Sequence, residues 1–275
     1  MKLTVNDTTI HCDIRGDGEP LLMMHGGLGL DHAYLRPFFE RLGGHRQIYY
    51  DHRGSGHSDA PDDWSKVTFD TFTADANALR EQLAGGRAAV FGHSYGGFIA
   101  QKYALAHGET LRGLVLCATA SNLADYPPVM PGSTTPEQQA AFGEIFSASM
   151  KDDASWRRLW ATALPMYFHD GENKTTAAAM KAMEAATTFR AAAWNHSFGL
   201  LAEYSVKDRL GEIRAPALIL AGRHDFVLPP AYAEDLHRAL PNSELVMFEN
   251  SGHFPFIEEP DKFIDALGNW LSKLP

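Results

Sequence analysis

Residues 90–100, VFGHSYGGFIA, decide how the rest of the chain is read. An apolar run ends at Phe91, and a serine follows within a cage of Gly92, Gly96 and Gly97. An apolar, helix-like run then begins at Phe98. Such a serine is either an ordinary turn residue or a nucleophile. Gly92-His93-Ser94-Tyr95-Gly96 fits the G-x-S-x-G pattern of a strand-to-helix elbow. A serine on so sharp a turn has a strained backbone, so the positions two before and two after it must lack side chains. The helix that follows brings free N–H groups and partial positive charge to the serine oxygen.

Working outward, the neighbouring segments supply the strand and the helix that the elbow needs. Residues 88–91 and 111–118 read as strands, and Leu114-Val115-Leu116 is continuously apolar, as in a sheet covered on both faces. Further strands are expected at 21–24, 48–51, 217–221 and 244–248, after an N-terminal strand pair within the first twenty residues. Apolar positions at 69, 72, 76, 79 and 83 predict an amphipathic helix. Other helices are expected at 34–42, 98–106, from about 230, and at 261–271. Strands alternating with helices at short spacing indicate βαβ units and an α/β fold with a mostly parallel sheet.

The alternation stops near Ser121. Pro127, Pro128, Pro131 and Gly132 mark a loop, and 137–201 then reads as helix with no evident strand. Residues 122–208 hold three of the five tryptophans, Trp156, Trp160 and Trp194. A helical block inserted into an α/β sheet reads as a lid. The expected organisation is therefore a core of residues 1–121 and 209–275, with about eight strands, and a helical lid at 122–208.

A serine hydroxyl needs a base to become a nucleophile. His253 is the candidate, because Asn250-Ser251-Gly252-His253 follows an expected strand, and open α/β sheets build their sites at strand C-terminal ends. Asp225, just past the strand at 217–221, is the candidate acid that orients the imidazole. The three candidates come along the chain in the order Ser94, Asp225, His253. An oxyanion hole needs two backbone N–H groups: Tyr95, after the nucleophile, and Gly27 in the HGGLG loop at 25–29 are the candidates. His25 reads as a structural hydrogen-bonder.

Together HGGLG, DHRGSGHSD, GHSYGG, AGRHD and SGHFPFIEEP resemble the successive signatures of the α/β-hydrolase superfamily, spread over residues 21–260. The chain is most similar to proline iminopeptidases and related serine hydrolases, which carry HGGPG and DQRGSGRS loops. Leu28 stands here where those enzymes have proline, and His52 where they have glutamine. The resemblance implies that the 51–59 loop is scaffolding, with Asp51 and Arg53 holding it beside the floor of the site. It also implies that a lid glutamate, in a stretch like ENHYF, holds a substrate ammonium group. The matching residues here are Trp194-Asn195-His196-Ser197-Phe198, with tryptophan in place of the glutamate. Losing that carboxylate removes the partner that a buried ammonium group needs; Glu184 and Glu203 are the lid residues that could replace it.

Apolar bulk stands instead of charge, and Trp160, Tyr167, Phe168 and Trp194 are the expected substrate contacts. The function expected is acyl transfer to water, on a small carboxylic ester or lactone. The alternatives are a prolyl aminopeptidase or amidase and, further off, a C–C hydrolase, a cofactor-free oxygenase or a triad-bearing receptor.

The formal charge of −10 disfavours nucleic acid and anionic membrane as partners. Apolar runs fall short of a membrane span, and the N-terminal residues lack the pattern of a signal peptide. Cys12 and Cys117 have no CxxC spacing and read as reduced core residues of a cytoplasmic protein. The 51–59 loop lacks the lysine of a phosphate-binding loop, and no HxxH or HExxH spacing appears, so neither a cofactor nor a metal is expected. The oligomeric state is not legible.

Overall fold

The computed structural model describes residues 1–27, 29–147 and 149–275. Leu28, noted above for its departure from proline, lies outside them. Eight strands form one sheet: β1 (Lys2–Val5), β2 (Thr8–Arg15), β3 (Glu19–Met24), β4 (His45–Tyr50), β5 (Ala88–His93), β6 (Leu111–Cys117), β7 (Ala217–Gly222) and β8 (Ser243–Phe248). Their order is β1-β2-β4-β3-β5-β6-β7-β8; β2 pairs antiparallel with β1 and β4, and every later pairing is parallel.

The central strands bury both faces, which is why they are continuously apolar. Leu21, Met23, Phe91 and Val115 join one core, while Leu22, Met24, Val90, Leu114 and Leu116 join the other. Helix α1 (Arg36–Phe39) is short, and α2 (Phe69–Ala84) and α3 (Tyr95–His107) pack on the sheet. Helix α2 begins with a reciprocal Thr68–Thr71 capping box and ends at Gly85, whose φ of +69° suits a left-handed cap.

Between β6 and β7 run α4 (Pro136–Ile145), α5 (Asp153–Ala163), α6 (Lys174–Ala186) and α7 (Ala191–Leu201), with no strand among the described residues. The insertion is closed at its base by the Asn122–Ser205 bridge and by Val206 N–H donating to the Ser121 carbonyl at 2.9 Å. After β7 come α8 (Pro230–Ala239), then β8, α9 (Pro255–Glu258) and α10 (Pro260–Leu271). No helix among the described residues is long and apolar enough to cross a membrane.

Two segments differ from the sequence expectation. Residues 34–42 do not form one helix; a 3-10 turn at His32–Tyr34 precedes the four-residue α1, which has proline in its first turn, and a Gly43-Gly44 pair lies just beyond. Helix α3 begins at Tyr95 rather than Phe98, because Gly96 and Gly97 are already helical residues of the elbow.

Candidate active site

Ser94 sits between β5 and α3 with φ 51° and ψ −117°, a conformation that serine rarely adopts. The surrounding packing explains it. A Cβ on Gly92 would lie 2.5 Å from the Gly96 carbonyl oxygen, and one on Gly96 would lie 2.1 Å from that of Met24. A serine at a helix start ordinarily caps it. Ser94 does not, so its hydroxyl is left for the cavity that it lines.

His253 and Asp225 arrive from the ends of β8 and β7. Asp225 Oδ2 accepts from His253 Nδ1 at 2.7 Å, and Oδ1 accepts from the Val227 and Leu228 N–H groups at 3.0 Å each. Both side chains are buried. With Nδ1–H committed to the carboxylate, Nε2 of His253 is the basic nitrogen, and the ring lines the same cavity as Ser94. No hydrogen bond joins Ser94 Oγ to His253 Nε2 among the described residues.

The paired ends of β3 and β5 (Met24 opposite Gly92) bring Gly26 and Gly27 beside the elbow. Gly26 N–H donates to the Tyr34 hydroxyl at 2.7 Å, so it is spoken for. Gly27, with φ +54°, lines the cavity together with Tyr95. Tyr34 and His93, which the sequence did not single out as a pair, tie these parts together. His93 Nε2 must donate to the His253 carbonyl (3.0 Å), because that oxygen can only accept. His93 Nδ1 is then the acceptor for the Tyr34 hydroxyl at 2.7 Å. A continuous chain thus runs from Gly26 N–H through Tyr34 and His93 to the backbone of His253. Burial holds His93 well below the ordinary histidine range, so it stays a neutral link. His25 is structural: its Nδ1–H donates to the Gly26 carbonyl at 2.8 Å, and its Nε2 accepts from His52 N–H at 3.2 Å.

In the 51–59 loop, Arg53 pairs bidentately with Asp75 at 2.8 Å. Asp51 accepts the N–H groups of His32 (3.1 Å) and His57 (2.8 Å), holding the loop as expected.

The insertion also grips the histidine loop. His253 N–H donates to the Tyr167 carbonyl at 2.7 Å. Glu258 accepts from His169 N–H (2.8 Å), Asp170 N–H (3.1 Å) and Gly252 N–H (2.7 Å). Burial raises the Glu258 carboxyl above the ordinary range, and those three donors act against the rise.

Over Ser94 lies a cavity of about 260 Å³. Trp160, Tyr167 and Trp194, the expected substrate contacts, line it, joined by Phe146, Met183 and Phe198. Phe168 does not line it: the 3-10 turn ends at Tyr167, Phe168 is extended, and its ring stacks at 5.0 Å behind Phe254, which is itself a lining residue. Trp194 is anchored by its indole N–H on the Ile145 carbonyl at 2.7 Å. Among the described lining residues there is no Asp, Glu, Lys or Arg. Neither Glu184 nor Glu203 reaches the cavity; the first is half-buried and the second exposed.

A strained serine at an elbow, on a mostly parallel sheet with an inserted helical block, defines the class. The chain belongs to the α/β hydrolase fold family, whose profile matches residues 19–260. Among similar proteins, a proline iminopeptidase of Lactobacillus acidophilus is 27% identical over 275 residues, covering 94% of this chain and 91% of that protein. An esterase from Exiguobacterium antarcticum superposes with a TM-score of 0.79 at 27% identity, over 97% of this chain and 96% of that one. The enol-lactonase from Burkholderia xenovorans shares the fold, with a TM-score of 0.80 at 22% identity over 99% and 100% of the two chains.

Proposed function

We propose that the protein hydrolyses an uncharged small-molecule carboxylic ester or lactone through a covalent intermediate on Ser94. The observation that carries this reading is the wall of the cavity. It is aromatic and aliphatic, with no carboxylate to meet a substrate ammonium group. An amine substrate would have to bury its charge without a partner, which costs several kcal/mol. An ester or lactone has no such cost.

In the proposed reaction Ser94 Oγ attacks the acyl carbon while His253 Nε2 takes its proton. Asp225 holds the Nδ1–H tautomer and offsets the imidazolium charge, as its 2.7 Å contact supports. The oxyanion accepts from the Gly27 and Tyr95 N–H groups, each worth about 3 kcal/mol in the transition state. His253 then protonates the departing alkoxide, leaving acyl-Ser94. A water, deprotonated by the same nitrogen, attacks the acyl carbon; collapse breaks the bond to Ser94 Oγ, His253 returns the proton to that oxygen, and the acid is released. For a lactone, the alcohol and acid leave as one molecule. The Ser94–His253 hydrogen bond forms as substrate seats, since catalytic hydrogen bonds that are long without ligand tighten in the substrate complex.

The insertion at 122–208 acts as the lid and residues 1–121 and 209–275 as the core, a division supported by the closed base at Ser121–Asn122 and Ser205–Val206. The similarity to a proline iminopeptidase favours the second reading, an N-terminal prolyl substrate. Rates on p-nitrophenyl acetate and butyrate, a lactone, and prolyl and alanyl anilides separate the two. Ester or lactone turnover should exceed prolyl anilide turnover, and Ser94→Ala should abolish it while the protein stays folded. A dominant prolyl anilide activity would refute the proposal.

A further inference from the structure

On the far side of the 51–59 loop, three histidines gather around one buried carboxylate. Asp51 Oδ2 lies 3.2 Å from His11 Nδ1 and 3.6 Å from His57 Nδ1, and these three atoms all fall within 4.8 Å of one another. We infer that His11, Asp51 and His57 form a surface-accessible binding site for a divalent transition-metal ion such as Zn2+.

Three observations carry this. The first is spacing. Tetrahedral Zn2+ holds nitrogen and oxygen donors at about 2.0–2.1 Å, which sets neighbouring donor atoms about 3.3 Å apart. The two separations from Asp51 Oδ2 bracket that value. The second is charge. Asp51 is fully buried, and among the described residues its ion-pair partners are all histidines. The guanidinium two residues on, Arg53, is committed to Asp75 and Asp7. No lysine or arginine pairs with this carboxylate among the described residues; Oδ2 also accepts the His57 backbone N–H at 2.8 Å, so an ion would enter in place of the His11 proton. The third is availability. The His57 ring makes no hydrogen bond among the described residues and is more than half exposed, so a small rotation brings Nδ1 into bonding distance.

His32 completes the arrangement from behind. Its Nδ1–H donates to Asp51 Oδ1 at 2.6 Å and its backbone N–H at 3.1 Å, fixing the carboxylate so that Oδ2 faces the other two rings. The ion would replace the proton that His11 shares with Asp51, and solvent would complete the shell on the exposed side. None of the three ligands lines the cavity over Ser94. The bound ion is therefore structural, pinning β2, the end of β4 and the loop after it. A search by spacing could not find it, because the ligands are 40 and 6 residues apart.

The test uses tag-free, EDTA-treated protein titrated with zinc chloride by calorimetry, with the melting temperature recorded alongside. One equivalent of Zn2+ per chain should bind and raise Tm by several degrees. His11→Gln and His57→Ala should each weaken binding by about tenfold or more, and the double variant should lose the site while keeping its circular dichroism spectrum. His169→Ala/His224→Ala, which removes a second stacked histidine pair (3.7 Å between centroids), should leave it intact. Absent stoichiometric binding, binding that survives in His11→Gln/His57→Ala, or binding lost with His169 and His224 would each overturn the inference.

Discussion

Asp225→Asn tests the proposed mechanism at its most specific point. The wild-type carboxylate serves two masters: Oδ1 takes the Val227 and Leu228 N–H groups, and Oδ2 takes His253 Nδ1–H. A carboxamide in that place has one oxygen. Two N–H donors converge on the Oδ1 position, so the oxygen must stay there and the NH2 must turn to His253. Nδ1 then becomes an acceptor, the ring proton moves to Nε2, and the nitrogen that should receive the Ser94 proton is already protonated.

The charge is lost as well. Carboxylate and imidazolium centres about 4 Å apart at an effective dielectric near 20 attract by about 4 kcal/mol, or about a thousandfold in rate. With the tautomer reversed, the expected loss in kcat is about ten-thousand-fold. The fold should persist, because both loop hydrogen bonds keep their acceptor. Asp225→Ala should lose as much activity and also about 1–3 kcal/mol of stability for each orphaned N–H. The assay is the initial rate on p-nitrophenyl butyrate, with Tm as the folding control. A folded Asp225→Asn enzyme within tenfold of wild type would refute both the acid assignment and the orientation argument.

Tyr34→Phe removes the group that accepts from Gly26 and donates to His93. It should cost about 2–4 kcal/mol of stability in urea unfolding and lower kcat more than it raises KM, since the Gly26–Gly27 backbone loses its support. Trp160→Ala opens the cavity at a buried wall packed on Trp156 and Tyr167. The stability cost should be about 3–5 kcal/mol, and kcat/KM for octanoyl relative to butyryl esters should rise; an unchanged ratio would place the acyl chain elsewhere. His25, His52 and His93 are held below the usual histidine pKa by burial. They are neutral when folded and take protons on unfolding, so their contribution is complete above pH 6.5 and is lost as pH falls. Unfolding free energies between pH 8 and 5 should decline below 6.5 by up to about 1.4 kcal/mol per pH unit for each histidine; a flat profile would show that they charge without unfolding.

What was legible in the chain follows its geometry. Ser94, Asp225 and His253 each stand just past the end of a strand, β5, β7 and β8, and a parallel sheet turns its strand ends to one rim, so local pattern was enough to propose that they share a site. The hydrogen-bonded line from Gly26 through Tyr34 and His93 was not legible, because it joins residues from three elements and depends on side-chain direction. The same holds for Asp51 and its histidines. Phe168 shows the limit within a single turn: its neighbour Tyr167 faces the cavity, and no composition argument could tell them apart. Trp194, by contrast, stands where the resemblance puts a glutamate, and the described cavity wall holds no carboxylate in its place.

The bonds from Tyr167, His169 and Asp170 to the loop carrying His253 set a rule for recombination. Family members are attractive parents for chimaeras in which one enzyme's helical insertion is grafted onto another's sheet. Here such a graft cannot be cut cleanly between β6 and β7. The stretch 167–170 supplies the acceptor for His253 N–H and two donors for Glu258, so a donor insertion that lacks this stretch would misplace a residue encoded more than eighty positions downstream. Glu258 and the 167–170 stretch should therefore be inherited as one block, although the chain keeps them far apart.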